Sequence, residues 1–566
     1  MARLPYQLRH GNVYVTPDAL GMTRALTEDE VLSLLKALSV YDCMGMIGRL
    51  STALYVGNAR SRDLQLHLVE WLTASNPDLH TRLRSAIERG RFALFEQQLV
   101  HFARLVLLHA SPRPPDGLAG DGARDFLTCL LSVPDLLYEP DVDLRNSQQR
   151  LSWVLRHCGV NRSDERLTLW STYFEVLRRT WPDLRKTDAV VDADAAFRRY
   201  TGTSIDEFMA AGFAFSAGLG ATDDDGLGTC DALDPEAYFA STELQGTSWR
   251  GFLGVAAAPL EGLRQRLLEE DRAWGKTVFG SLAIEKTPIL LAPDGRTYLV
   301  SMPALDRRAT YGVLHVLAEG SVEEGLDREH FTAPFGAAFQ SWAEDCLARS
   351  VAKAEPRPQL FLDEPYGSKR FPRRTSDIVL RYPKDLILIE VVSGPLQART
   401  VTRGDLKAFD RDLAKLIEKK AVQLDKCASD VLAGLTSGIG LDTQGVGMIW
   451  PVIVTSTVFP NRPEVGPVVR ERLKQLGVLR GRPFRPISII SAEELAAAEG
   501  AMENGASLLD LLRGWKASRK TGDHSFKNFL LDGEPDKRRI PGSHHLAMFE
   551  EASSAILSHV FHASKA

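Results

Sequence analysis

The chain is poor in cysteine and shows no cysteine or histidine pattern typical of a metal site. Its 566 residues include 6 cysteines, which are scattered without a C-x-x-C pair and without histidines at zinc-ligand spacing. This arrangement predicts reduced, mostly packed thiols. For the histidines near the end of the sequence, a surface position is the favoured interpretation and a terminal zinc site is the alternative; they are His544, His545, His559 and His562.

Long apolar runs and an excess of basic residues are also absent. No segment approaches the roughly 18 to 20 apolar residues that a membrane span requires, so we expect no membrane partner. Together with the reduced cysteines, this predicts a cytoplasmic protein. Lys and Arg number 68 against 73 Asp and Glu, for a net charge of -5, so any surface that binds nucleic acid must be local.

Three common catalytic motifs are missing as well. The sequence contains no G-x-x-x-x-G-K-[ST] loop, no H-E-x-x-H and no G-x-S-x-G. The first absence argues against a built-in P-loop motor. The other two exclude the commonest metalloprotease and α/β-hydrolase classes.

Hydrophobic periodicity changes along the chain and predicts an α+β protein of several domains. Residues 1–275 predict an all-α N-terminal module, in which Thr27 followed by Glu30 is a typical helix cap. Residues 276–332 predict a small mixed α/β connector with two strands around a turn at 293–296. Residues 333–515 predict a mixed sheet with flanking helices in the order αβββαβ. Residues 516–566 form a basic segment followed by a C-terminal helix.

Two acidic residues stand in neighbouring apolar strands of the third segment. Asp377 precedes the run IVL and Glu390 closes the run LILI, with the turn-forming RYPKD between them. A buried carboxylate is unfavourable without a partner, and two carboxylates on one sheet attract a cation. The pair therefore predicts a divalent-metal site. The alternative is that each is a strand-end carboxylate that is exposed to water or paired with Arg373, Arg374 or Arg381.

This element order, with aspartate on the second strand and glutamate on the third, resembles the PD-(D/E)XK nuclease superfamily over residues 333–498. The resemblance implies a restriction-endonuclease-like domain that hydrolyses nucleic-acid phosphodiester bonds with Mg²⁺ or Mn²⁺. Asp377 and Glu390 match the acidic pair of the family, as catalytic and metal-binding residues. Val392 stands where the lysine of Glu-x-Lys is expected, and Gln340 stands where the preceding helix often carries a glutamate.

The same resemblance implies substitutes for these two departures. In some family members the catalytic lysine lies on another element, and many carry a glutamine on the helix after the third strand. The resemblance therefore points to Lys419 first, then Lys415, with Gln423. Glu344, one helical turn after Gln340, is the implied further metal ligand. The alternative is that Lys415, Lys419 and Gln423 form the solvated face of an amphipathic helix.

A basic cluster lies beside the predicted acidic pair. Such clusters are typical where phosphates approach, although solvated loops share this composition. The predicted nucleic-acid contacts are Lys369, Arg370, Arg373, Arg374 and Arg411. We therefore expect a nucleic acid as the partner, DNA in preference to RNA, and a protein partner for the helical module is a further option.

Together these features predict an enzyme, a divalent-metal-dependent nuclease, and analogy with similarly organised microbial proteins suggests a role in defence or DNA processing. Two other interpretations stay open. Val392 and Gln340 favour a catalytically degenerate nuclease fold that binds nucleic acid or protein without cutting. The acidic overall charge and a helical half without a recognisable site favour a helical scaffold protein.

Overall fold

The chain divides into two compact units in the computed structural model. The structure describes residues 13–560 apart from 16, 58–60, 75, 138–141, 161–165, 185–191, 241, 243, 245, 276–280, 328, 443, 520 and 532–541. The first unit contains Met1–Asp143, Thr201–Gly312 and Ile556–Ala566; the second contains Leu144–Tyr200 and Val313–Ala555. This division differs from the predicted segments, because residues 144–200 belong to the second unit and the predicted connector is divided after Gly312.

The first unit is mainly helical. Its cap at Thr27 is of the predicted kind, because the Thr27 hydroxyl accepts a hydrogen bond from the Glu30 N–H and the Glu30 carboxylate accepts one from the Thr27 N–H. The predicted hairpin is confirmed, with Ile289–Leu291 antiparallel to Thr297–Leu299. A short strand, Ala257–Pro259, extends this sheet inside a stretch for which helix was predicted.

The remaining elements of the first unit are as follows. Its helices are Pro17–Leu20, Glu28–Leu35, Val40–Val56, Arg62–Leu72, Pro77–Glu88, Glu96–His109, Gly120–Leu136, Ile205–Leu219, Pro235–Phe239, Gly246–Ala256, Leu260–Trp274, Leu282–Lys286 and Met302–Ala309. Its other strands are Val13–Tyr14 and Arg91–Phe92. Among the residues that the structure describes, in either unit, no helix combines the length and the apolar character needed to cross a bilayer.

The second unit combines helices with a mixed sheet and a separate hairpin. Its helices include α1 (Arg166–Glu175), α2 (Glu329–Lys353), α3 (Leu406–Leu413), α4 (Lys419–Leu432), α5 (Ala492–Glu503) and α6 (Ser543–Val560). Its strands are β1 (Gln359–Leu362), β2 (Pro365–Ser368), β3 (Phe371–Arg374), β4 (Ile378–Arg381), β5 (Asp385–Val392), β6 (Met448–Thr455) and β7 (Ser488–Ser491). Further helices are Ser147–Val160, Trp181–Leu184, Ala193–Thr201, Gly312–Glu323, Ala398–Arg403, Val465–Leu476, Leu508–Ala517 and Phe526–Leu531.

The mixed sheet has the strand order β7-β6-β5-β4-β1. Strand β5 is antiparallel to β4 and parallel to β6, β6 is parallel to β7, and β1 is antiparallel to β4. The order of elements along the chain agrees with the prediction, apart from the hairpin β2–β3, which the sequence did not reveal. Strands β5 and β6 are buried along almost their whole length, because both faces of the sheet's centre are covered.

The helix after β5 is interrupted where a single long helix was predicted. A π turn, Ala414–Glu418, separates α3 from α4. A π turn holds one residue more than an α turn, so the face of the helix after it is rotated by about 100° from that of an uninterrupted α-helix. This rotation decides which side chains of α4 face the sheet.

Candidate functional site

The register of the β4–β5 pair brings the two predicted carboxylates together. Ile378 lies opposite Ile389 in this antiparallel ladder, so the next pair along it is Asp377 and Glu390. Directly opposed residues of such a pair have Cβ atoms about 4.5 to 5.5 Å apart. Asp377 Oδ2 accepts a hydrogen bond from the Val391 N–H at 2.7 Å, and Glu390 Oε2 accepts one from Lys420 Nζ at 2.8 Å. These contacts fix the position of both side chains.

Both carboxylates project to the side of the sheet that α3 and α4 cover. Val379 of β4 and Leu388 of β5 belong to one core with Phe409 of α3, and Val392 packs against that core. Because strand side chains alternate between faces, Asp377 and Glu390 share this face with those residues. Val392 therefore presents an apolar side chain on the face of the carboxylates, as predicted.

The cation at this pair is Lys420, in the first turn of α4. Its Nζ lies 2.8 Å from Glu390 Oε2 and 3.5 Å from Asp377 Oδ2. The Lys420 side chain is 19% exposed and that of Glu390 only 4%, so water screens this contact weakly. Among the described residues, no other lysine or arginine makes an ion pair with either carboxylate within 4.0 Å.

The lysines and the glutamine implied by the family resemblance do not make these contacts. Lys415, Lys419 and Gln423 are exposed, as the alternative interpretation of a solvated helix face predicted. The position assigned first to Lys419 is occupied by its neighbour, Lys420. Lys415 lies at the end of β5, where its Cε is 3.9 Å from the position that a Cβ on Gly394 would take.

Sequence reasoning missed Lys420, although a signal for it exists. Lys420 lies four residues, about one helical turn, before the buried Leu424 of α4. A lysine inside an apolar stripe needs a buried partner, whereas a lysine on a polar face does not. The spacing therefore singles out Lys420 and not Lys419.

The close approach of Asp377 and the burial of the site change the protonation of Glu390. Burial and then the neighbouring Asp377 raise the pKa of Glu390 to about 7, although Lys420 acts in the opposite direction. Burial would lower the pKa of Lys420, but the two carboxylates outweigh it and raise that pKa. Near neutral pH the cluster therefore holds a proton that a cation can replace.

Helix α2 places a third acidic side chain towards the pair. Gln340 donates a hydrogen bond to Glu344 Oε1 at 2.9 Å. Burial raises the pKa of Glu344, as does the nearby Asp377, while the Gln340 hydrogen bond acts against them. Gly336 of the same helix lies against the residue after β5, since a Cβ at Gly336 would come 3.1 Å from Ser393 Oγ.

Glu344 does not complete a compact set of three carboxylates. Within the described part of the chain, the group of potential ligands whose donor atoms all lie within 4.8 Å of one another is Cys346, Glu499 and His545. The carboxylate oxygens of Asp377, Glu390 and Glu344 therefore do not all lie within 4.8 Å of one another. The structure therefore provides two opposed carboxylates, and Glu344 lies further from them.

The site has to be interpreted from its own chemistry. No family model, curated protein or solved structure matches this chain. The charged donor atoms of the site are the carboxylate oxygens of Asp377 and Glu390. Oxygen ligands of this type suit a hard cation such as Mg²⁺ or Mn²⁺, which binds through one or two carboxylates and keeps several waters. The residues present therefore fit the metal that the sequence predicted.

The hairpin β2–β3 carries most of the predicted nucleic-acid contacts. Lys369 and Arg370 are exposed at its turn, and the Arg370 guanidinium lies 5.7 Å from the centroid of the Phe371 ring. Phe371 is 65% exposed, which is unusual for a phenylalanine. The tip of the hairpin thus presents cations and an aromatic face to solvent.

The two arginines at the base of the hairpin have partners within the protein. Arg373 pairs with Asp430, which also accepts a hydrogen bond from the Tyr366 hydroxyl at 2.6 Å. Arg374 pairs with Asp363 at 2.6 Å. These ion pairs anchor the hairpin. The other predicted nucleic-acid contacts take no part in this anchoring and are exposed to solvent; they are Lys369, Arg370 and Arg411 of α3.

Proposed function

We propose that the second unit is a divalent-metal-dependent nuclease of the PD-(D/E)XK type, in which Asp377, Glu390 and Lys420 act together. The observation that carries the proposal is the meeting of two opposed strand carboxylates and one lysine ammonium on a single face of the sheet. Burying such charges is costly unless they are paired, and a purely structural core does not require them. The mixed sheet and its element order support the same class.

Each residue has a definite role in this proposal. Asp377 and Glu390 would hold Mg²⁺ or Mn²⁺, which when bound polarises the phosphodiester and lowers the pKa of an attacking water. The Val391 N–H keeps the Asp377 carboxylate in position, and Glu390 would hold the cation in its ionised form. Lys420 donates to a phosphate oxygen and stabilises the negative charge that develops there. Lys420 thus takes the role of the lysine in Glu-x-Lys, which Val392 cannot fill.

The substrate we propose is a nucleic acid, with DNA favoured over RNA. Lys369, Arg370 and Arg411 provide exposed cations for phosphates, and Phe371 provides an aromatic face on which a base can stack. Lys415, whose side chain lies beside Gly394 just after β5, is a further exposed cation. A role in microbial defence or DNA processing fits this activity by analogy only.

The test is cleavage of supercoiled plasmid, linear duplex and single strands, with and without Mg²⁺ or Mn²⁺. The wild type should cut only with metal, and Asp377→Asn should abolish cutting. Lys420→Ala should lower the cleavage rate by about 100-fold or more with little loss of binding, because Lys420 acts on charge formed in the transition state. Lys419→Ala is the matched control and should cut at nearly the wild-type rate. Undiminished cleavage by Asp377→Asn would show that the chemistry lies elsewhere.

A second function, nucleic-acid binding without cleavage, is favoured by the Lys420 contacts themselves. The ammonium compensates the charge of both carboxylates without any metal. Gln340 in place of a glutamate also weakens the attraction for a cation. This alternative predicts no metal-dependent cleavage of any substrate, together with binding that depends on Lys369 and Arg370 and is unchanged in Asp377→Asn.

A further inference from the structure

A second polar cluster in the second unit takes no part in the proposed phosphodiester chemistry. It consists of Cys346 of α2, Glu499 of α5 and His545 of α6, which are 0%, 1% and 0% exposed. Cys346 Sγ and His545 Nε2 each lie 3.1 Å from Glu499 Oε2. The expectation of surface histidines is therefore wrong for His545, while the side chains of His559 and His562 lie outside the described residues.

The proton on the His545 ring is placed by its neighbour on α1. The Ser171 hydroxyl donates to the Thr168 carbonyl at 3.2 Å, so its oxygen accepts from His545 Nδ1 at 3.1 Å. In a neutral imidazole this leaves Nε2 as a bare lone pair. His545 Nε2 is buried, and although it touches Glu499 Oε2 it has no hydrogen bond of acceptable geometry. This lone pair and the Glu499 carboxylate oxygen repel each other, and a cation bound between them would remove that repulsion.

The Glu499 carboxylate is held so that one oxygen faces this space. Arg349 Nε donates to Oε1 at 2.8 Å and Arg349 Nη2 donates to Oε2 at 3.3 Å, while Oε2 also lies 3.1 Å from both Cys346 Sγ and His545 Nε2. Polar groups that orient the ligands in this way are typical of metal sites.

We propose that Cys346, Glu499 and His545 bind one zinc ion, which ties α2, α5 and α6 together. Thiolate, carboxylate and imidazole are the ligands that zinc takes in proteins, and its bond lengths of about 2.0 to 2.3 Å place tetrahedral ligand atoms roughly 3.3 to 3.6 Å apart. The observed 3.1 Å separations are close to that. As the zinc–sulfur bond forms, the Cys346 thiol releases its proton to solvent, and no electrons are transferred.

The charge and number of these ligands agree with zinc. The Cys346 thiolate and the Glu499 carboxylate carry two negative charges, and the Arg349 guanidinium that pairs with Glu499 is shared with Glu175. Three protein ligands leave one tetrahedral position for a water. Helix α2 also carries Glu344 and Gln340 on a different face, so a zinc ion here would hold in place the helix that faces Asp377.

The experiment measures zinc in the full chain, purified without a histidine tag and dialysed against trace zinc. The wild type should hold about one zinc per chain, and Cys346→Ser and His545→Gln should hold less than about a tenth of that, because each removes a ligand. Cys129→Ser, at a buried cysteine of the first unit, is the matched control and should keep its zinc. Cobalt in place of zinc should show a thiolate charge-transfer band that Cys346→Ser lacks.

The outcome does not depend on nuclease activity or on the folding of the variants. Asp377→Asn should keep its zinc even if it cuts nothing, so failure of one proposal is distinct from failure of the other. If the ligand variants do not fold, wild-type protein stripped by a chelator should lose thermal stability and regain it when zinc alone is added. Wild-type protein that binds no zinc in that titration, or loss of zinc in Cys129→Ser equal to that in Cys346→Ser, would overturn the proposal.

Discussion

Replacing Lys420 by methionine should destabilise the second unit. The Nζ–O distances of 2.8 and 3.5 Å correspond to attractions of about 5 kcal/mol each at an effective dielectric of about 20. Desolvation of the ammonium offsets much of this, and removing one partner of a buried pair typically costs about 3 to 5 kcal/mol. The three side chains are at most 19% exposed, so solvent screening is weak. We therefore expect a loss of about 3 kcal/mol at a pH of about 8.5, which is above the raised pKa of Glu390.

The loss should become smaller as the pH falls. The pKa of Glu390 is raised from 4.5 to about 7 in the folded protein, so Glu390 opposes folding increasingly as the pH rises through that window. Lys420 limits this effect, and without it the pKa of Glu390 would rise further. At a pH of about 5.5 Glu390 is then protonated in the folded variant, and we expect the loss to shrink to about 1 kcal/mol.

Urea unfolding of the wild type and the variant at these two pH values measures the difference. Lys419→Met is the matched control, because Lys419 is the exposed neighbour, and it should change the free energy of unfolding by no more than about 0.5 kcal/mol. Mg²⁺ should restore part of the loss in Lys420→Met at the higher pH by supplying the missing cation. Equal losses at the two pH values, or a loss no greater than that of the control, would refute the reasoning.

Three further outcomes are expected. Glu390→Gln should remove the fall in thermal stability that the metal-free wild type shows between pH 4.5 and about 7, which calorimetry across that range would detect. Tyr366→Phe should cost about 1 to 2 kcal/mol in urea unfolding, because its hydroxyl donates to buried Asp430 at 2.6 Å; a neutral result would argue against that contact. Lys369→Ala and Arg370→Ala should each weaken nucleic-acid binding and lower its salt slope by about 1, measured by fluorescence anisotropy at several salt concentrations; an unchanged slope would exclude phosphate contacts there.

The strands of the second unit were predictable because local pattern determines them. Short β-branched runs separated by turn residues define β4 and β5, and their pairing follows from the RYPKD turn. The opposition of Asp377 and Glu390 is then a consequence of register. The hairpin β2–β3 was not predictable in this way, because its exposed strands are rich in charge, proline and glycine.

The remaining differences arise from tertiary packing. Lys420 reaches the carboxylates because α4 turns that side chain towards the sheet, whereas its neighbour Lys419 points to solvent. His545 is buried because Cys346 and Glu499, distant in sequence, pack against it. Residues 144–200 share the helical periodicity of the first unit but belong to the second. Periodicity identifies a helix, but it does not identify the core that the helix joins.

The π turn at Ala414–Glu418 has a consequence for how the length of the chain can vary between relatives. A π turn is an α-helical turn with one inserted residue, so deleting one residue there gives an uninterrupted α-helix without rotating α3 against α4. A relative that lacks the insertion would keep its counterparts of Phe409 and Lys420 on the same faces. A sequence alignment should therefore place the gap within residues 414–418. An alignment that places the gap after this turn would assign the lysine of such a relative to Lys419.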